Sequence, residues 1–183
     1  MWNLDKNYYY AGMRRLLMFA CAGWLLFGAG ALDAASFASV ADKARRAERR
    51  RDPDGALQAW SEALRLWNPA DGKKQKAQAL ASRSALREKK GKLVEATQDL
   101  SEALQLDPKN AALLHRRGLL LLEQSQPSEA ISDFYKAAAL QPAFAENFFD
   151  RARAYEMLGD AKFAQEDFLT ACRLGLKKAC SRQ

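Results

Sequence analysis

The chain has little of the material from which catalytic and metal sites are built. Its 183 residues include one histidine, His115, and three cysteines, Cys21, Cys172 and Cys180. His115 lies far in sequence from every cysteine, and there is no HExxH, GxSxG or glycine-rich phosphate-binding motif. We therefore expect a protein that is not an enzyme and that binds no metal or cofactor.

Signals for β-structure are also lacking. No segment alternates Val, Ile, Thr or aromatic residues with polar ones, which is the pattern of a half-buried strand. Ala and Leu dominate instead, together with Glu, Lys, Arg and Gln, and all of these are good helix formers. Hydrophobic residues make up 49% of the chain and charged residues 28%, which favours a folded domain over a disordered one. The prediction is an all-α fold.

Residues 1–34 have the plan of a secretory signal peptide. An uncharged apolar run, Leu16–Leu32, follows Arg14 and Arg15, and small residues come after it. We expect cleavage of this segment and export to the periplasm or cell envelope. The candidate cleavage points are Ala34 and, as an alternative, Ala31, and the candidate translation starts are Met1 and Met13.

The alternative is a retained anchor in the inner membrane. The apolar run is at the short end of what crosses a bilayer. Six cations follow it closely, and the positive-inside rule disfavours their export. These cations are Lys43, Arg45, Arg46, Arg49, Arg50 and Arg51. We favour the cleaved signal, and the anchor stays open.

The rest of the chain repeats with a fixed period. Pro108 and Pro142 lie one period apart, and this offset defines units at residues 77–110, 111–144 and 145–178. Each unit contains two helical segments with a break between them, and small residues recur opposite large ones. A single helix pair cannot bury its apolar side, whereas stacked pairs can. The recurring sets are Ser84, Gly118 and Ala152; Ala96, Ala130 and Ala164; Leu100, Phe134 and Phe168; and Ala103, Ala137 and Ala171.

This combination of spacings resembles the tetratricopeptide repeat over residues 77–178. The chain departs from that pattern at Leu176, which stands where a proline is usual, and at Leu80, Leu114 and Phe148, which replace an early tryptophan. The resemblance implies a right-handed superhelical solenoid of antiparallel helix pairs.

An earlier, degenerate repeat is expected at residues 36–69. Apolar residues recur at helical spacing from Phe37 to Arg51, and Asp52 and Pro53 are suited to begin a second helix. Residues 70–76 are then an inserted loop, and residues 179–183 form a C-terminal cap. The prediction is four repeats and a cap, with Gly91 and Gly159 ending helices and Asp160 capping the last one.

Arginines and aspartates also recur in step. The same separation joins an arginine to an aspartate in each of three units, so that the two fall on the first and second helices of one unit. We predict structural ion pairs, either within a repeat or to the neighbouring one. They are favoured here over a ligand-binding set because the arginine fork fits a carboxylate. The residues are Arg83, Asp99, Arg117, Asp133, Arg151 and Asp167.

Two cysteines remain near the C-terminus once a signal containing Cys21 is removed. Seven residues separate Cys172 from Cys180, and Gly175 lies between them and allows the chain to turn. In an exported protein an even number of cysteines favours a disulfide. The spacing also resembles the cysteine-rich Sel1-like repeats, which pair cysteines seven residues apart. The alternative is two free thiols in a cytosolic protein.

The tetratricopeptide resemblance implies a concave groove that binds a peptide segment of a partner protein. We therefore expect a non-catalytic adaptor or scaffold of the cell envelope. The alternatives are a membrane-anchored assembly factor and an accessory module that holds the substrate of an envelope enzyme system. The residues carried onto the groove include Arg45, Arg49, Ser82, Lys89, His115, Arg116, Leu119, Leu122, Phe149, Asp150, Arg153 and Met157.

The net charge of +7 does not choose among an acidic protein, an anionic membrane and nucleic acid. Residues 16–32 and the basic run 43–51 leave membrane contact open. The basic run lacks the interleaved aromatic residues that stack on bases, which argues against nucleic acid.

Overall fold

The computed structural model describes residues 35–182, and eight of its helices form four consecutive hairpins. The predictions for residues 1–34, including the signal, its cleavage and the apolar run, lie outside the described residues. The hairpins are α1 (Phe37–Arg49) with α2 (Pro53–Leu66), α3 (Lys73–Lys89) with α4 (Leu93–Leu106), α5 (Ala111–Glu123) with α6 (Pro127–Leu140), and α7 (Ala145–Leu158) with α8 (Ala161–Arg173). A short helix, α9 (Lys177–Cys180), follows them.

Each hairpin packs against the next through its second helix. Thus α2 contacts α3, α4 contacts α5, α6 contacts α7, and α9 covers α8. No strand occurs between residues 35 and 182, so the predicted all-α solenoid of helix pairs is confirmed. In that same range no helix is both long and apolar enough to cross a membrane.

Turn chemistry sets most of the helix ends. The Asp52 carboxylate accepts a hydrogen bond from the Gly55 N–H at 2.9 Å, and Pro53 occupies the first position of α2. Gly91 and Gly159 adopt φ values of +70° and +80° at the hairpin turns. Asp160 precedes α8 as predicted, but its side chain caps no amide, so the expected capping bond is wrong.

The predicted loop at residues 70–76 is only partly correct. A 3₁₀ turn, Pro69–Asp71, is followed at once by α3, which begins at Lys73. The extra helical turn is stabilised by Lys76, whose Nζ lies 2.6 Å from Glu102 and 4.6 Å from the centre of the Trp67 ring. Gly72, with φ of +89°, separates the 3₁₀ turn from α3. At the other boundaries, α1 ends at Arg49 rather than Arg51.

The core follows the predicted alternation of small and large residues. Leu100, Phe134 and Phe168 are fully buried, and each faces alanines that are also fully buried. In the third repeat the Phe134 ring occupies the space that a side chain at Gly118 would need. Close helix crossing therefore depends on the small residue in each first helix.

Candidate functional site

The recurring arginines and aspartates form three forks, each inside one hairpin. In every fork the arginine Nε and Nη2 donate to the two carboxylate oxygens of the aspartate. All three aspartates are buried. The distances are 2.9 and 2.5 Å for Arg83 and Asp99, and 2.7 and 2.7 Å for both Arg117 with Asp133 and Arg151 with Asp167.

Each fork holds the two helices of its hairpin together and leaves little free charge for a ligand. The hydrogen bonds that Arg117 and Arg151 donate to Asp133 and Asp167 raise the pKa of both arginines, although burial opposes this, so both guanidinium groups stay charged. Arg117 also donates to the Ser101 hydroxyl at 3.1 Å, which joins the third repeat to α4. These residues therefore have a structural role.

A different set of contacts joins the first helices of successive repeats. Arg45 and Gln78 line a cavity of about 200 Å³ between α1 and α3. Arg116 on α5 donates to Glu88 on α3 at 2.7 Å. His115 on α5 and Asp150 on α7 are joined at 3.0 Å. We call the side of the solenoid on which α1, α3, α5 and α7 meet the first-helix surface.

Asp150 is the centre of the polar cluster on this surface. Burial alone would raise the pKa of its carboxyl, but hydrogen bonds from His115 and from Arg153, at 3.0 Å each, outweigh burial and hold the pKa below its ordinary value. The His115 ring also contacts the rings of Phe134 and Phe144, at centroid distances of 5.5 and 5.3 Å. His115 thus links two repeats, and its side chain is only 16% exposed.

The N-terminal half of the first-helix surface is basic. Arg49 and Lys89 are exposed, and Ser82 between them is half-buried. Lys89 also borders a cavity of about 360 Å³ that Arg51 and Pro53 line from the turn between α1 and α2. Arg49 and Lys89 form no ion pair with any residue in the range 35–182. Positive charge is therefore available to a ligand on this half.

The C-terminal half of the surface is more apolar. Met157 is 50% exposed, Phe144 is exposed, and Leu119 and Phe149 are half-buried. Phe149 packs edge-on against Phe168 at 5.5 Å. The predicted groove position of Leu122 is wrong, because this side chain is 6% exposed and packs in the core.

The C-terminal cap reaches this same surface. A disulfide joins Cys172 on α8 to Cys180 on α9, with the two Cα atoms 4.9 Å apart. Ala179 of the cap is fully buried, and the Lys178 Nζ lies 4.2 Å from the centre of the Phe149 ring. Arg182 pairs with Glu156 at 2.6 Å. The cap thus covers the open side of the last hairpin.

Sequence reasoning left out two residues that shape the surface. Glu88 holds the predicted groove cation Arg116, and Phe144 supports His115. Asp150, which holds Arg153, is among the positions that the resemblance carries onto the groove. Helical spacing alone does not distinguish Glu88 and Phe144 from their neighbours in the sequence. Nor does any pattern in the sequence indicate that Asn147, on α7, is fully buried with neither side-chain atom hydrogen-bonded to another described residue.

Comparison with known proteins shows the fold. No family model matches the chain. A DnaJ homolog subfamily C member 7 homolog of Schizosaccharomyces pombe is 34% identical over 99 residues, which is 52% of this chain and 21% of the relative. Hsc70-interacting protein 1 of Drosophila melanogaster is 34% identical over 74 residues, 40% of this chain and 20% of the relative. The chain thus spans about a fifth of the length of these curated relatives.

Three solved structures are similar. MamA superposes with a TM-score of 0.70 and 19% identity over 80% of this chain and 82% of that one. A tetratricopeptide repeat protein of Parabacteroides merdae superposes with a TM-score of 0.69 and 22% identity, over 76% of this chain and 53% of that one. The first tetratricopeptide domain of Spaghetti (RPAP3), bound to an HSP90 peptide, superposes with a TM-score of 0.54 and 24% identity, over 60% of this chain and 94% of that one. The fold is therefore the tetratricopeptide solenoid, as the sequence predicted.

Proposed function

We propose that this protein is a non-catalytic adaptor that binds a peptide segment of a partner protein on its first-helix surface. The observation that carries the proposal is the composition of that surface. Exposed apolar groups, Met157 and Phe144, lie on one half. The cations Arg49 and Lys89, which form no ion pair within residues 35–182, lie on the other. Apolar groups supply affinity, and charges at the rim supply orientation and speed of association.

The comparisons support this use of the surface. Repeat solenoids present extended concave surfaces to their ligands, and in this fold the first helices line the concave side. One structural neighbour is described as bound to an HSP90 peptide, and one relative as an Hsc70-interacting protein. We infer a peptide ligand from the shared fold and leave the identity of the partner to experiment.

The proposal places the adaptor in the cell envelope. Two observations support export: Arg14 and Arg15 precede the apolar run Leu16–Leu32, and a disulfide joins Cys172 to Cys180. N-terminal sequencing of the protein from the envelope fraction tests this part. A new N-terminus after Ala34 supports the cleaved signal, whereas an intact Met1 or Met13 in the membrane fraction supports the anchor.

Site-specific crosslinking tests the binding surface. A photoreactive amino acid replaces Lys89 or Met157 on the first-helix surface, or Lys136 on α6 as a control, because all three side chains are exposed. Irradiation in cells should join positions 89 and 157 to the same partner peptide, and position 136 should not react with it.

A matched pair of double variants provides a second test of the binding surface. Lys89→Glu with Met157→Ala should abolish capture of that partner, because the pair reverses one charge and removes one large apolar group from the surface. Lys136→Glu with Tyr135→Ala makes a comparable change on α6 and should leave capture intact. Equal loss in both variants, or crosslinking only at position 136, would refute the proposed surface.

A further inference from the structure

Helix α1 and its C-cap residue, Arg50, carry two adjacent rows of basic residues. The buried row of the helix, Phe37, Val40, Ala41 and Ala44, packs on α2. Arg45 and Arg49 belong to the first-helix surface. On the remaining side, Lys43, Arg46 and Arg50 follow at intervals of three and four residues, which places them on one face, and all three are exposed. We call these three residues the outer basic row.

No acidic side chain of the described protein forms an ion pair with the outer basic row. The two carboxylates of α1 are engaged elsewhere: Asp42 binds Arg45 at 2.7 Å, and Glu48 accepts a hydrogen bond from the Trp60 indole at 2.8 Å. Lys43, Arg46 and Arg50 form no ion pair within residues 35–182. Three like charges on one helix face repel each other. Asp42, which is paired with Arg45, attracts Arg46 only at longer range.

The position of the row in the chain points to its ligand. Helix α1 belongs to the first hairpin, so no described helix covers its outer side. In sequence, the uncharged run Leu16–Leu32 ends shortly before Phe37. Clusters of Lys and Arg that follow a membrane-spanning segment closely, or that lie on an amphipathic helix such as α1, are attracted to anionic lipid headgroups.

We propose that the outer basic row, Lys43, Arg46 and Arg50, binds the anionic phospholipid headgroups of a membrane surface and holds the first repeat against it.

Nucleic acid is the competing anionic partner. It fits less well because single-stranded binding uses exposed aromatic rings for stacking, and Trp60, the aromatic residue packed beneath α1, is buried. This inference does not rest on peptide binding, and the variant that tests it leaves Arg45 and Arg49 unchanged.

Vesicle co-sedimentation of the full chain tests the proposal. One set of vesicles is pure phosphatidylcholine, and in the other about a third of the lipid is phosphatidylglycerol. We expect the wild-type protein to bind the anionic vesicles about tenfold more tightly than the neutral ones, and the difference to disappear at about 0.5 M salt, where screening is nearly complete. The neutral vesicles measure any binding by the apolar run itself.

Two variants of equal charge locate the effect. Lys43→Gln with Arg46→Gln and Arg50→Gln should lose about tenfold in binding to the anionic vesicles. Lys162→Gln with Arg173→Gln and Lys177→Gln removes the same charge from exposed positions in the last repeat and cap, and should retain wild-type binding within about twofold. Circular dichroism should show both variants folded, because every substituted side chain is exposed.

Three results would overturn the inference. The first is equal binding of the wild-type protein to neutral and anionic vesicles. The second is equal loss in both triple variants, which would indicate general charge attraction. The third is a loss of binding to polyuridine RNA in the first variant while vesicle binding is unchanged, which would assign the row to nucleic acid.

Discussion

Arg117 and Asp133 lie on the two helices of one hairpin and are joined by two parallel hydrogen bonds of 2.7 Å. Asp133 is 2% exposed, whereas part of the Arg117 side chain reaches solvent. A buried carboxylate without its arginine has neither water nor a counter-charge. The fork therefore makes each residue dependent on the other.

Single and double substitutions should show this dependence. Arg117→Leu and Asp133→Leu should each lower the free energy of unfolding by about 3 kcal/mol, because each leaves one unsatisfied charge. The double variant should lose at least about 1 kcal/mol less than the sum of the two, because it leaves none. Urea unfolding of the four proteins measures the coupling.

The exposed pair Asp42 and Arg45 serves as the control for this cycle. Its two side chains are 2.7 Å apart but largely solvated, so the same cycle there should give a much smaller coupling than the cycle at Arg117 and Asp133. Additive effects at Arg117 and Asp133 would contradict the structural role of the fork.

The forks were predictable, and the exposure of individual groove residues was not. One constant separation, repeated three times, places arginine and aspartate on facing helices, so the sequence carried that signal three times over. Leu119 to Leu122 are all leucine, and such a run has no periodicity that shows which side chain is buried. Only packing shows that Leu122 is in the core and that Leu119 is half-buried.

Two features of the fold do not follow from the repeat pattern. Helix α3 begins at Lys73, one turn before the repeat unit that starts at residue 77. In this turn Lys76 contacts Trp67 and Glu102, which lie on either side of it in the chain. Asn147 occupies the place that Ala79 and Leu113 hold in the preceding repeats. An amide at a core position breaks the repeat pattern, so the pattern itself cannot predict it.

The lowered pKa of Asp150 predicts a loss of stability in acid. A carboxyl whose pKa is lower in the folded than in the unfolded protein stabilises the fold above its unfolded pKa, about 3.9. That contribution is lost as the pH falls through the folded value. The free energy of unfolding of the wild type should therefore exceed that of Asp150→Asn by about 1 kcal/mol at pH 7, and the difference should shrink below about pH 4.

Urea unfolding at a series of pH values measures this difference. Asp160→Asn is the control, because the Asp160 side chain is exposed and caps no amide. At pH 7 its free energy of unfolding should differ from that of the wild type by less than that of Asp150→Asn does. A difference for Asp150→Asn that stays constant down to about pH 3 would show that the charge of Asp150 does not stabilise the fold.

The disulfide between Cys172 and Cys180 should stabilise the end of the solenoid. Its closed loop is short, so the entropic gain is about 2–3 kcal/mol at most. Cys180→Ser should raise amide hydrogen exchange in α8 and α9, because Ala179 would no longer be held against Phe168. Exchange in α5 and α6 should stay as in the wild type. Two freely alkylated cysteines in protein taken from the native envelope would contradict the bond.

Gly118 and Phe134 provide a test of the packing rule on which the solenoid depends. A Cβ atom at Gly118 would lie 2.7 Å from Cε1 and 2.8 Å from Cζ of the Phe134 ring. These distances are shorter than non-bonded contacts between carbon atoms in folded proteins. Phe134 is fully buried, so the ring can move away only by displacing its neighbours. Gly118→Ala should lower the free energy of unfolding by about 1 kcal/mol net, because overpacking outweighs the better helix propensity of alanine.

A second substitution separates crowding from helix propensity. In the second repeat the pair at these places is Ser84 and Leu100, so a side chain on the first helix is tolerated opposite a leucine. Phe134→Leu alone should cost about 1 kcal/mol, because it leaves a void. Combined with Gly118→Ala it should cost less than the sum of the two single changes, since the new methyl group occupies part of that void. Additive costs in urea unfolding would show that the small residue is not required by the ring opposite it.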